Sequence, residues 1–153
     1  MERSIILCLI IIILIYFCLN ISNKNENFSN NFDRIPIIIF HKGVQEYVKI
    51  CINQALKWDN YVILLNDNPD NYKDIQSPNF KCVNYSNYSK NADRFSKLFK
   101  NFSTNNSEIE LICIQRWLYV EYYMKLHKIN RAFVCDSDIL IFDNINKINS
   151  KYL

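Results

Sequence analysis

Asp136 and Asp138, separated by Ser137, sit between the apolar runs Ala132-Phe133-Val134-Cys135 and Ile139-Leu140-Ile141-Phe142, and no other residues of the chain combine type and spacing so suggestively. A bare Asp-x-Asp says little in a chain with 9 Asp, so the flanking hydrocarbon carries the argument. An aspartate titrates near pH ~3.9, so both are ionised at neutral pH, and two like charges in a partly desolvated place require a compensating cation. In extended backbone, residues two apart point to the same side, so both carboxylates could approach one ion. Carboxylate oxygens are hard ligands suited to magnesium or manganese, and the lack of a companion thiol or imidazole motif disfavours zinc and copper. Such an ion commonly also takes phosphate oxygens and, as a Lewis acid, would neutralise charge on a departing diphosphate. The plainer alternative is a solvated turn whose carboxylates cap neighbouring amides.

The elements that must hold this pair follow from hydrophobic periodicity. Ile35-Pro36-Ile37-Ile38-Ile39-Phe40 predicts a strand covered on both faces, ended by His41-Lys42-Gly43. Val44, Tyr47, Val48, Cys51, Ile52, Ala55 and Leu56 recur at helical steps, with Asn60 as the stop. Tyr61 to Leu65 is a second buried strand closed by the turn cluster Asn66-Asp67-Asn68-Pro69, and Phe80 to Tyr85 is a third. A short helix is expected around Ala92, Phe95, Leu98, Phe99 and Phe102. Ser107-Glu108-Ile109-Glu110 reads as a capping box opening a largely buried helix that runs to about Lys128. Lys125, His127 and Lys128 lie at its negative end, and Asn130 is placed for the left-handed cap. A strand then leads into Asp136, and the apolar run resumes at Ile139. This order predicts an α/β fold with a mainly parallel open sheet and flanking helices, which binds ligands beyond the carboxyl ends of its strands.

Composition excludes several classes. With a single glycine, Gly43, the chain has no P-loop, dinucleotide fingerprint or nucleophile elbow. A net charge of +3 with dispersed Lys and Arg is no footprint for nucleic acid. The 22 Asn and 24 Ile are a compositional bias and receive no functional weight. No residue from Ser4 to Asn23 is ionisable, a length of roughly 30 Å as a helix, so residues 1–23 are expected to be a signal anchor spanning a membrane once, with the amino terminus in the cytoplasm. A cleaved signal is the rival, though no small-residue cleavage site follows. Residues 24–33 are a polar stem, and residues 34–153 form the domain. Asn20, Asn27, Asn84, Asn87, Asn101 and Asn105 stand in glycosylation sequons. Cys51, Cys82, Cys113 and Cys135 lie in apolar segments without metal spacing and read as small buried hydrophobes.

The apolar strand running into Asp-Ser-Asp, with Asp143-Asn144-Ile145 after it, resembles the signature segment of nucleotide-sugar-dependent glycosyltransferases of the GT-A fold, a Rossmann-like nucleotide-diphospho-sugar transferase architecture. The resemblance covers about Ile35 to Ile145, and only Asp136-Ser137-Asp138 is specific. It implies manganese or magnesium on Asp136 and Asp138, a nucleotide-diphospho-sugar as donor, and a glycan, glycoprotein or glycolipid as acceptor. In glycogenin-like members an arginine on the preceding helix helps hold the donor, which corresponds to Arg116. The first strand and its loop line the nucleotide pocket, here Ile39 to Gly43 with His41, and Asp67 lies near the base or ribose. No catalytic residue is assigned. The implied topology is a single-pass type II membrane protein with its domain in the Golgi or endoplasmic reticulum lumen. In that family the acceptor site and a further metal ligand lie mainly after the motif, so residues 34–153 are expected to be the donor-binding half.

Two rival functions remain: a catalytically inactive, membrane-tethered interaction module, and a haloacid-dehalogenase-type phosphatase, whose motif would sit near the amino end. Each single residue also has a plain structural reading. Arg116 would be a solvated charge, His41 a loop residue, His127 a helix-end cation, and Trp58 and Trp117 core, while Tyr85 and Tyr88 would be available to stack on a sugar.

Overall fold

The computed structural model describes residues 34 to 152; the expected anchor and stem, with Cys8, Cys18, Asn20 and Asn27, lie outside the described residues. Among the described residues no helix is long and apolar enough to cross a membrane. The elements run β1 (Ile37–His41), α1 (Glu46–Lys57), β2 (Val62–Asn66), a 3-10 turn (Pro69–Tyr72), β3 (Phe80–Asn84), a second 3-10 turn (Tyr85–Tyr88), α2 (Lys90–Ser96), α3 (Ser107–Leu126), β4 (Phe133–Cys135) and α4 (Ile145–Tyr152).

The four strands form one parallel sheet in the order β3-β2-β1-β4. Both faces are covered, which is why β1 and β2 are continuous apolar runs and why alternate residues of one strand enter different cores. Ile37, Ile39, Val62 and Leu64 pack with Val48, Ile52 and Ala55 of α1, with Tyr72, and with Ile141 and Ile145. Ile38, Ile63 and Leu65 pack on the other side with Ala92 of α2 and Tyr119, Val120 and Tyr123 of α3. The expected α/β class with a parallel sheet and flanking helices is therefore present.

Several boundaries differ from expectation. The cap of α3 is Asn106, whose Oδ1 accepts from the amides of Glu108 and Ile109, one residue before the expected Ser107. The Asn106 carboxamide oxygen satisfies both orphan donors without help from Glu110. At the other end Lys128, not Asn130, is left-handed, at φ 55. The Ile129 amide reaches the Met124 carbonyl and the Lys128 amide that of Lys125, a Schellman closure that buries Ile129. Asp59 does the same for α1, also at φ 55, with the Asn60 and Asp59 amides returning to Ala55 and Leu56. Nor is α3 buried on most faces, because Ile109, Ile114, Trp117 and Leu126 are exposed. Trp58 is exposed as well, so neither tryptophan is core. Residues 139–142 form no strand; they descend across the α1 face, where Ile141 enters the core.

At the strand-start end of the sheet, asparagines tie the fold together. Asn60 is buried; its Nδ2 donates to the Ala55 and Asp143 carbonyls and its Oδ1 accepts from the Ile145 amide. Asn144 donates to the Trp58 and Asp59 carbonyls while capping α4 through the Asn146 and Lys147 amides. The Asn146 side chain accepts from the Ile35 amide, closing α4 onto the entry to β1. His127 sits nearby as the cap of α3, within 3.2 Å of the Tyr88 hydroxyl and with its ring 4.4 Å from that of Tyr123. Burial, helped by the positive charge of Lys81, lowers its pKa, which disfavours the cation expected at this helix end.

Candidate functional site at the carboxyl edge of the sheet

Because β2 and β4 flank β1, the chain leaves β1 toward one side of the sheet and returns later on the other side. Open parallel sheets part at such a reversal, leaving a crevice beyond the carboxyl ends of the two strands. His41 ends β1 and Asp136 immediately follows β4, so two segments 95 residues apart in sequence meet there. His41 is 8% exposed, with Nδ1 2.8 Å from Ser137 Oγ and Nε2 hydrogen-bonded to the Gln45 side chain. It is thus a buried strand end and not a loop residue.

Arg116 reaches the same place from α3, where its Nη1 pairs with Asp136 Oδ1. Tyr119, three residues on, fixes this face of the helix: its ring stacks on Phe40 at 5.4 Å and lies 4.9 Å from Tyr85. Tyr85 is buried enough to be pushed up to about 12, so its hydroxyl stays protonated, and it serves this cluster rather than a solvent-facing sugar platform. The guanidinium also lies 5.1 Å from the Trp117 ring, and Arg116 Nε is buried with no hydrogen-bond partner.

The acidic pair differs from its sequence reading in two respects. Ser137 and Asp138 form a turn, with the Ile139 amide 3.4 Å from the Asp136 carbonyl, so the alternation of an extended strand does not apply. The Asp136 side chain is 57% exposed and already paired with Arg116, so burial does not force a divalent ion onto the pair. Asp138 is exposed and makes no hydrogen bond or ion pair among the described residues. Its negative charge is felt at Cys51 on α1, whereas Asp136 turns to α3. Cys135, mainly through burial and then through both carboxylates, is pushed up to about 11, so it remains a thiol. Cys51 and Cys135 read as the expected buried or half-buried hydrophobes, and Cys113 is exposed; the four cysteines among the described residues are free.

Among the described residues no group of three or more His, Cys, Asp and Glu could hold a metal. The donor set therefore fits magnesium or manganese only as an ion that brings its own phosphate and water oxygens, since such ions need just one or two protein carboxylates.

Asp67 contributes to the edge structurally. Its Oδ1 accepts from the Gly43 amide at 2.8 Å, holding the loop after β1, where Gly43 has φ 89. Buried Asn66 donates to the carbonyls of His41 and Gly43, and Asn84 donates to the Asp67 carbonyl. Sequence reasoning placed Asn66 in a turn but missed this bracing role, for which a polar residue ending an otherwise apolar strand was the available signal. It also missed Ser137 and Gln45 as partners of His41. The structure thus gathers His41, Arg116, Asp136 and Asp138 at one edge, with Asp67 beside them on the β1–β2 side.

No family model, curated protein or solved structure matches this chain.

Proposed function

We propose that the carboxyl edge between β1 and β4 binds the diphosphate of a nucleotide-diphospho-sugar together with magnesium or manganese, as the donor site of a GT-A-type glycosyltransferase. The observation that carries this reading is the sheet order β3-β2-β1-β4, which puts Asp136 and Asp138 with His41 and Arg116 at the strand reversal. Asp138 would hold the ion, joined by Asp136 once that carboxylate turns away from Arg116, and the ion would supply Lewis-acid stabilisation of the departing diphosphate. Arg116 pairs with Asp136 in the free protein and is placed to turn toward phosphate oxygens when a cation takes up that carboxylate. Asp67 and Asn66 keep the loop after β1 in place, and Gly43 there lets main chain approach a ligand without a Cβ in the way. A membrane anchor before the domain and a lumenal location complete the proposal, with a glycan, glycoprotein or glycolipid as acceptor.

The test is release of nucleoside diphosphate from a panel of nucleotide sugars by the full chain in detergent. Turnover that requires manganese or magnesium and is abolished by Asp138→Asn supports the reading; well-folded protein without turnover on any donor counts against an enzyme. The second reading, a non-catalytic tethered module, is favoured by one observation: Asp136 is neutralised within the chain by Arg116. It gains if wild type and Asp136→Asn bind the same ligands equally.

A further inference from the structure

The acidic turn is weakly closed by its own backbone. Its hydrogen bond from the Ile139 amide to the Asp136 carbonyl is long, at 3.4 Å, and in the proposed donor site Asp136 leaves Arg116 for the ion. Among the described side chains, the hydrogen bond that then still fastens the turn to the sheet is that of Ser137, whose Oγ lies 2.8 Å from Nδ1 of His41 at the end of β1.

His41 is itself set by Gln45. The imidazole is buried, its Nε2 is hydrogen-bonded to Gln45 Oε1, and the Tyr47 ring meets it edge-on at 5.9 Å. A neutral imidazole carries one N–H and a carbonyl oxygen can only accept, so Gln45 draws that hydrogen to Nε2 and leaves Nδ1 to accept from the Ser137 hydroxyl. The position of Gln45 is a second sign. It is the N-cap residue of α1, where a short Ser, Thr, Asp or Asn would close the helix, yet its side chain makes no capping hydrogen bond and reaches back to the histidine instead.

We propose that Gln45 and His41 are positioning residues for the ion, latching Ser137 so that the turn between Asp136 and Asp138 is held in place beyond the ends of β1 and β4. The ion's part in this rests on the donor-site reading above; the latch itself does not. Groups that orient metal ligands without touching the metal typically change its affinity by ~10–100-fold.

The experiment uses the full chain in detergent at mildly alkaline pH, as wild type, Gln45→Leu, Ser137→Ala and Ser137→Thr. His41 and His127 are the only histidines of the chain, so imidazole nitrogen resonances are assigned by adding His127→Gln. Wild-type His41 should carry its hydrogen on Nε2, and Gln45→Leu should let it pass between both nitrogens. Hydrogen exchange at the Ile139 amide should speed at least tenfold in Gln45→Leu and Ser137→Ala but not in Ser137→Thr, which keeps the hydroxyl. Calorimetric titration with manganese pyrophosphate should follow the same order, with affinity about tenfold lower in the first two variants. A wild-type hydrogen on Nδ1, or exchange at Ile139 unchanged in Gln45→Leu, overturns the latch. Faster exchange with manganese pyrophosphate bound equally by all four proteins overturns the positioning role and leaves the donor site standing. Faster exchange in the two variants, with no uptake of manganese pyrophosphate even by wild type, removes the donor site and leaves the latch.

Discussion

The two ends of the sheet use polar side chains in opposite ways. At the strand-start end, Asn60, Asn144 and Asn146 have their amide groups engaged by backbone at the entry to β1, the end of α1 and the start of α4, and half-buried His127 packs against tyrosines. At the carboxyl end, Asp138 has no partner among the described residues, and aromatic side chains stand exposed around a cleft. Hydrogen bonds to backbone close a fold, whereas unspent acceptors and apolar area are what a ligand can use. Substitutions at the strand-start end should therefore cost stability, and those at the carboxyl end should cost binding.

The largest stability effect is expected at Asn60. Asn60→Leu removes three hydrogen bonds, two of them fully buried, and leaves backbone groups unsatisfied, which should destabilise the domain by about 3 kcal/mol in denaturant unfolding. An effect below about 0.5 kcal/mol would show that the strand-start end is not the locked one. Asn144→Ala should follow at about 2 kcal/mol, combining loss of a helix cap with loss of its bonds to the end of α1.

A smaller effect is expected from His127 and sharpens the comparison through pH. Its folded pKa lies below the ordinary 6.5, so the unfolded chain binds the proton more readily. Its contribution is fully present above pH 6.5 and is lost as pH falls through 6.5 toward the folded value. Melting temperature should drop across that window, and His127→Gln should flatten that part of the profile. The smallest stability change is expected at the other end: Asp138→Asn should stay within about 0.5 kcal/mol, because an exposed, unpaired carboxylate supports nothing in the fold.

Much of the architecture was legible because buried parallel strands and amphipathic helices leave strong periodic signals; β1, α1 and β2 lie within a residue or two of the runs from Ile35 to Leu65, each strand extending one residue further to take in His41 or Asn66. Caps were less legible, since Ser107 and Asn130 are chemically suitable and only tertiary packing selects Asn106 and Lys128 instead. The asparagine excess, set aside as composition, conceals Asn60, Asn66 and Asn144, which brace the fold. At the site, sequence brought forward Asp136, Asp138, Arg116 and His41 one by one. It could not show that Arg116 pairs with Asp136, a contact across 20 residues made by packing α3 on β1, nor that the acidic motif turns rather than stays extended.

Calorimetric titration of the full chain with nucleotide-diphospho-sugar, with and without manganese, in wild type and Asp138→Asn, decides whether the carboxyl edge is a donor site. Saturable binding is expected only when the ion is present, and it should be lost in Asp138→Asn, whose melting temperature should be unchanged. Folded wild type that takes up no donor at millimolar concentration, or Asp138→Asn that binds as wild type does, would contradict it.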